Sequence, residues 1–491
     1  MTSREAPARE HALRARCLPD LRDERDHLAG LLPPGLLPAG LLPPDLLPAG
    51  LPPVGLLPPG LPPVGLPPAG LPSAAGPEDD PDAASDAAGD PARCAVLAWA
   101  RSGLMQLTGP PAGPPLAPEA PVLPRAGLLA AAVSALARRV GDPVQPDLRH
   151  ILAYRASLTG WQRAGTVSAG GSCRILRAAD GWLAVNLARP DDLDSVPAIL
   201  ARPLDRDPWA ELAADAALRP AADLAAAAQA LGVPAAALGS APPVPAVLTR
   251  LGEAGTARRL VLDLSAMWAG PLCARTLGQA GWRVLKVEDV RRPDGARSGP
   301  AAFYADLHAG IPTVRLDFGS AAGRAELARL AAQAGVVVES SRPRALRRLG
   351  LVAEDWLTAA PGRVWVSLTG YGRADPEQRV AFGDDAAVAG GLVARTADDT
   401  PVFCGDAIAD PLSGLFAAFA ALAALAAGGG WLADVAMAGV CADLARPSAA
   451  PARRHVVSAT ADGPPDARPA RPDDSCWTVR HGAAAALVSG P

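Results

Sequence analysis

Asp410 stands directly before Pro411 at the head of the long apolar stretch in CGDAIADPLSGLFAAFAALAAL. Asp followed by Pro is a preferred way to open a helix, with the carboxylate as N-cap and proline at the first helical position. The same placement suits chemistry, because the dipole and free amides of a helix start hold a carboxylate ionised and stabilise an oxyanion formed beside it. A second candidate is the turn Ala269-Gly270-Pro271. It lets a ligand approach the backbone closely, and the helix start behind it favours phosphate. An ordinary packing turn uses the same residues. The G-x-G-x-x-G spacing is absent, so a dinucleotide cofactor is poorly supported.

The elements that position these residues are legible from periodicity. RRLVLDLS, from Arg258, is an apolar, β-branched run and predicts a strand; AGPLCARTLGQAG predicts a helix closed by Gly281, and WRVLKVE a second strand. Strand, helix, strand within some thirty residues is a βαβ unit. GRAELARLAAQA (helix), GVVVES (strand), RPRALRRLG (helix start) and GRVWVSLTG (strand) continue the alternation. The expected fold is α/β: a Rossmann-like open parallel sheet core with an additional smaller α+β module, ligands sitting at the carboxyl ends of the strands. The smaller module spans 93–250, with LLAAAVSALARRV helical, alternating segments around SCRILRAADGWLAVNLA, then alanine-rich helix. The core spans 256–445.

Upstream, residues 1–29 form a charged arm and 30–92 a linker. Nine pentads of the GLLPP type run from Gly30 to Ala74, and proline at that density removes backbone donors and blocks both helix and sheet. A disordered Pro-rich N-terminal region, ending in the acidic spacer EDDPDAASDAAGD, is expected. The proline-rich tail 446–491 is assigned no role.

Composition excludes several classes. The formal net charge of -4 with mixed signs gives no basic field for nucleic acid. Seven cysteines scattered singly, with no C-x-x-C pair, fit neither a zinc site nor a disulfide framework. No metal is expected, and a reducing cytoplasm is the simplest compartment. The N-terminus lacks the apolar core of a signal peptide, and the stretch Leu415 to Ala427 falls short of the roughly 20 apolar residues that span a bilayer. A buried helix is expected there, and no membrane partner.

Four segments, in order, resemble the class III coenzyme A transferases of the CaiB/BaiF type. LVLDLSAMWAGPLCARTLGQAGWRVLKVE is similar to that family's opening strand, "AGP" turn, helix and second strand. LHAGIPTVRLDFGSAAGRAELARLAAQAGVVVESSRPRALRRLGL is similar to its "LDL" strand and "E-N-[FY]-R-P-G" loop, VSLTGYGRADPEQRVAFGD to its "SITGFGQTGP" strand, and CGDAIADPLSGLF to its "ADLTAGL" helix start. The resemblance implies that Asp410 is the nucleophile of a transferase that moves coenzyme A from an acyl-CoA donor to a carboxylic acid acceptor through an aspartyl-CoA thioester. It implies no tightly bound cofactor, coenzyme A thioesters and carboxylic acids as substrates, and a homodimer. By position it assigns coenzyme contacts to Trp268, Ala269, Leu307, His308, Ser340, Ser341, Arg342 and Arg348. Arg342 and Arg348 are the best phosphate candidates, with solvated helix charge as the alternative. Asp384 matches an acid lining the family's site, Asp385 being the other register.

Two alternatives stay open. Related racemases carry a histidine immediately before that acid, where this chain has Gly383, which weighs against an α-methylacyl-CoA racemase unless a histidine such as His308 reaches Asp410. A catalytically silent acyl-CoA binding protein is the other. SGLMQLTGPPAGPPLAPEAPVLPRAGLLAAAVSALA, from Ser102, echoes the segment from Gly390 and suggests a partial duplication, with Leu123 where the downstream copy has Asp410. One active site per chain is therefore expected.

Overall fold

The computed structural model describes residues 10–16, 21–34, 36–37, 94–448, 452–459, 477–481 and 484–488. Most of the proline-rich repeat and much of the tail lie outside these residues.

The N-terminal half opens with two helices, α1 (Val122–Val140) and α2 (Leu148–Thr159). Asp147 caps α2 by accepting from the amides of Arg149 and His150, and Gly160, at φ 67°, closes it in the left-handed conformation that only glycine adopts freely. Strands β1 (Cys173–Arg177), β2 (Trp182–Asn186) and β3 (Ala235–Ala237) form a three-stranded antiparallel sheet. Helices α3 (Pro208–Ala216) and α4 (Ala221–Ala230) cover it over a small core that includes Leu183, Val185, Leu212 and Leu224.

A short strand, β4 (Ala246–Arg250), then leads into the large sheet. The chain continues through β5 (Leu260–Leu264), α5 (Ala269–Gln279), β6 (Arg283–Asp289), α6 (Ala301–Leu307), β7 (Thr313–Leu316), α7 (Ala321–Gln333), β8 (Val336–Glu339), α8 (Pro343–Arg348) and β9 (Val364–Thr369). It ends with α9 (Gly383–Ala389), α10 (Ala409–Ala426), β10 (Trp431–Ala436) and α11 (Met437–Leu444). The seven strands lie in the order β4-β10-β9-β8-β5-β6-β7, all parallel except β4, which runs antiparallel to β10. Numbered along the chain, the six parallel strands read 3-2-1-4-5-6 from the β7 side, so the winding reverses between β5 and β8. The crevice outside the strand ends at such a reversal is where open α/β sheets take ligands. The strands on either side of it, Leu260-Val261-Leu262 and Val336-Val337-Val338, are buried on both faces, as a parallel sheet covered by helices requires.

Helix α10 forms the centre of the molecule, packed on α5 from the core and α1 from the N-terminal half. A Cβ at Gly414 would stand 2.6 Å from the carbonyl oxygen of Ala269, so glycine is what allows α10 and α5 to approach. The two halves share one continuous hydrophobic core that includes Leu129, Leu136, Val261, Leu277 and Phe419. By length and composition α10 could cross a membrane, and 83% of it is buried inside the protein.

The sequence differs from its expected organisation in two places. β4 falls within 93–250 yet serves as the antiparallel edge of the core sheet. The start of the repeat is packed, with Leu32 and Leu36 buried in the main core; leucine spaced between prolines still offers apolar surface to bury even where hydrogen bonding is blocked. The end segments Glu10–Arg16, Ala452–Ala459, Trp477–His481 and Ala484–Val488 form a separate four-stranded antiparallel sheet.

Candidate active site

The loops after β5 and β8 flank the reversal, and they are joined directly: the amide of Ala266 donates to Ser340 Oγ at 3.0 Å. The loop after β5 is held from below by Lys286. That side chain is completely buried, with Nζ 2.9 Å from Asp294 and 3.6 Å from Asp263, and it donates to the carbonyl of Ser265 at 3.0 Å. Asp294 in turn accepts from the amide of Met267 at 2.9 Å, fixing Met267 in a left-handed conformation of φ 71° just before Trp268.

Trp268 leads into α5, and the amide of Ala269 turns towards Asp410. The expected N-cap is two places off. α10 begins at Ala409, with Ile408 in the cap position and no side-chain cap bond. The Asp410 carboxylate lies instead against Gly383, the first residue of α9, and the amides of Ala269 and Gly383 at the starts of α5 and α9 favour its ionised form. Three helix starts therefore meet at one carboxylate. From Ala409 to Ala424 every residue of α10 is buried except Asp410, which keeps partial contact with solvent.

Gly383 has a specific reason to lack a side chain. A Cβ there would lie 2.4 Å from Asp410 Oδ2 and 2.2 Å from the carbonyl oxygen of Ala407. The residue that a racemase would carry as histidine is thus occupied by the carboxylate itself. His308 stacks on Tyr304 with centroids 4.1 Å apart, its Nδ1 2.9 Å from the Tyr304 carbonyl, and the charges that act on it are Lys286, Asp263 and Asp294. None of those interactions leads to Asp410.

Two further acids and one guanidinium complete the centre. Asp384 accepts from the amide of Ala407 at 3.0 Å, with Ala407 held at φ 43°. Asp406 is buried and takes a bidentate pair from Arg155 of α2, at 2.8 Å from Nε and 2.5 Å from Nη2. The Arg155 guanidinium lies over the Trp268 ring, 4.6 Å from its centroid. Burial pushes the Asp410 carboxyl up to about 7; Arg155 and the two amides pull it down and Asp406 pushes it further up. Burial also pushes Asp384 up to about 7, with Asp406 adding and Arg155 opposing. Asp385 belongs elsewhere: its carboxylate accepts from the Phe382 amide and from Asn186 of β2, both at 3.0 Å. Of the two, Asp384 is the one bonded to the loop that leads into α10.

The structure thus brings Asp410, Asp384, Ala269 and Trp268 together, with Leu307 packed beside Trp268 and Phe303. Ser340 and Ser341 lie at the end of β8, Ser341 donating to the buried Glu339 at 2.9 Å. Arg342 faces a cleft of about 600 Å³ between the two halves, lined also by Arg189, Arg292, Arg344, Gln229 and Gln378. Burial and the neighbouring charges of Arg344, Arg189 and Arg292 lower its pKa; Asp191, Asp192 and Glu377 also line the cleft, and Asp192 pairs with Arg189 at 2.6 Å. Arg348 is exposed on α8 outside that cleft. Gln229, in the cleft wall, is hydrogen-bonded to both the amide and carbonyl of Val380, three residues before Gly383. Sequence reading missed Arg155, Asp406, Arg189, Arg292 and Arg344. In a chain with one lysine and many arginines, no local signal marks these.

No group of three or more His, Cys, Asp or Glu side chains among the described residues is arranged to hold a metal ion. Five cysteines, Cys94, Cys173, Cys273, Cys404 and Cys441, are free and buried.

The fold is thus α/β, with a carboxylate where three helix starts meet and an arginine-containing cleft between the two halves. Residues 258–474 match CoA-transferase family III. It is 32% identical over 174 residues to an acyl-CoA transferase of Fusarium pseudograminearum, a match covering 32% of this chain and 38% of that one. To the succinyl-CoA:glutarate CoA-transferase of Homo sapiens it is 32% identical over 167 residues, covering 32% and 38%. A CaiB/BaiF family protein from Brucella suis is similar in structure at 28% identity, covering 37% of this chain and 53% of that one, with a TM-score of 0.35. The chain spans about two fifths of the length of the curated relatives it matches.

Proposed function

We propose that the protein transfers coenzyme A from an acyl-CoA donor to a carboxylic acid, with Asp410 as nucleophile. The observation that carries this reading is the convergence of the Ala269 and Gly383 amides on the one partly exposed carboxylate of α10. A carboxylate suits the reaction because its acyl adducts stay activated. Asp410 attacks the donor carbonyl, the C–S bond breaks, and a mixed anhydride forms with release of the coenzyme A thiolate. The thiolate attacks the aspartyl carbonyl, expelling the donor acid as its carboxylate and leaving an aspartyl thioester. The acceptor carboxylate attacks that thioester to form a second anhydride, and the thiolate collects the acceptor acyl group, restoring Asp410. The two amides that face the ground-state carboxylate are placed to stabilise oxyanions on the aspartyl carbonyl.

The phosphates of coenzyme A fit the cleft around Arg342, where Arg189, Arg292 and Arg344 add charge. At no more than about 3.5 Å per residue, Val380 to Gly383 spans roughly 10 Å, a distance that a pantetheine arm bridges. The strand order 3-2-1-4-5-6 supports the Rossmann-like reading, with the coenzyme at its reversal. The partial duplication of residues 93–250 stays a proposal from the sequence echo, with Leu123, buried in the first turn of α1, at the place of Asp410. A homodimer and a cytoplasmic location remain part of the proposal.

Succinyl-CoA incubated with a panel of mono- and dicarboxylic acids, followed by chromatography of the thioesters formed, tests this function. New acyl-CoA in proportion to acceptor supports it. Hydrolysis alone, or inversion of an α-methylacyl-CoA, contradicts it.

A further inference from the structure

Arg155 and Asp406 are charged residues placed at the centre of the molecule by different halves of the chain. Arg155 extends from α2, which is tied to α6 through the His150 to Asp306 pair at 2.9 Å and packs Ile151 and Tyr154 against Trp268 and Phe303. Its guanidinium spends Nε and Nη2 on the two oxygens of Asp406 and stacks over Trp268, with Trp161 and Phe303 at 5.4 and 5.8 Å. Such a planar, bidentate, stacked arrangement fixes the charge in one orientation, which a lysine's single ammonium does not reproduce. The packing of α10 on α5 and α1 is itself apolar.

We propose that Arg155 is a positioning residue for Asp410: locked by Asp406 and Trp268, it holds a single positive charge beside three carboxylates, so that the N-terminal half completes the catalytic centre of the same chain. This inference rests on the transferase reading for its purpose, and for its content on the Arg155 contacts to Asp406 and Trp268, the residues that flank the Asp410 and Ala269 turns.

The groups that face Asp410 are Arg155 from α2, Asp384 from α9, Asp406 from the loop before α10 and Cys441 from α11, together with the amides of Ala269 and Gly383. Cys173 of β1 and Asp385 add to those around Asp384. Burial keeps both thiols protonated, Cys173 and Cys441 alike. Of these groups Arg155 alone carries positive charge. Removing it and removing Asp406 must therefore move Asp410 in opposite directions, whereas a pair that only braces the fold moves it in neither.

The test is the carboxyl titration of Asp410 in the full chain, read by carbon-13 NMR of aspartate-labelled protein and assigned by its loss in Asp410→Asn. Arg155→Met keeps the apolar stem on Trp268 and is expected to raise the midpoint by about one pH unit, the effect of a lost opposite charge at close range. Asp406→Asn is expected to lower it. Arg155→Lys is expected to restore only part of the shift. An unchanged midpoint in Arg155→Met and Asp406→Asn, or movement of both in one direction, overturns the proposal. Should Arg155→Met fail to fold, Asp406→Asn decides alone, a fall supporting the proposal and a rise or no change overturning it. Opposite shifts in a protein that transfers no coenzyme A would leave this inference standing and remove the transferase reading.

Discussion

Arg155 and Asp406 are 251 residues apart in the chain and meet through two hydrogen bonds of 2.8 and 2.5 Å, both side chains largely removed from water. Leaving one member of a buried pair unpaired costs about 3–5 kcal/mol. Arg155 keeps an edge in solvent, so the lower end applies. Arg155→Ala is expected to lower unfolding stability by about 3 kcal/mol in urea titration at neutral pH, and Asp406→Ala by a similar amount.

Lys286 makes the same point from the other side of the site. With Nζ enclosed by Asp263 and Asp294 and no exposure, Lys286→Met leaves two buried carboxylates without their cation. A loss of about 3–5 kcal/mol is expected in the same titration, together with a loss of order at Trp268 read by its fluorescence.

Gly383→Ala places a methyl against Ala407 and Asp410. Overpacking of that kind costs about 1–3 kcal/mol, and displacement of the Gly383 amide removes one donor from the nucleophile. A fall of about 100-fold in kcat is expected, the scale of a lost oxyanion donor. Unchanged turnover in the presence of the destabilisation would separate Gly383 from the chemistry.

The pH dependence of stability follows from Asp384, Asp385 and Asp410, each pushed up to about 7 by burial. Their folded-state values lie above the ordinary carboxylate value, so the folded protein binds more protons than the unfolded chain between about pH 4 and 7. Their protonated forms are the ones compatible with burial. Stability is therefore fully present below the unfolded value near 4 and falls as pH rises through 7. Thermal melts at pH 5 and pH 8 are expected to show the higher midpoint at pH 5, and Asp410→Asn is expected to narrow the difference while abolishing activity.

Among the described residues Arg342, Arg292 and Arg344 form no ion pair, although Asp191, Asp192 and Glu377 also line the cleft that they share. Arg342→Ala is expected to raise KM for acyl-CoA about tenfold, the worth of one charge-assisted hydrogen bond, with kcat and melting temperature nearly unchanged. Added salt is expected to weaken coenzyme binding in the parent protein more than in the variant.

What was legible in the sequence and what was not divides on physical grounds. The βαβ periodicity of 258–289 and the valine run of β8 are set by burial on both faces, which writes itself into residue type. Strand β4 carries no such pattern, because it is an exposed edge whose partners lie on β10, 180 residues away. Asp410 and Asp384 were visible as motif positions, while the local capping rule misplaced the helix start by two residues. That rule weighs only a carboxylate's own helix, and the Asp410 carboxylate is bound by two others. Arg155, Asp406 and the cleft arginines were invisible because a long-range ion pair leaves no spacing to read.

Trapping the covalent intermediate probes the nucleophile without depending on which acids are physiological. The purified protein is mixed with a panel of acyl-CoA thioesters, quenched with hydroxylamine or borohydride, and digested for mass spectrometry beside Asp410→Ala. A modified peptide containing Asp410, absent from the variant and formed faster at pH 8 than at pH 6 because the carboxylate must be ionised, is the expected result. Coenzyme A bound with no adduct from any donor at either pH would contradict the role of Asp410 and leave an acyl-CoA binding protein in its place.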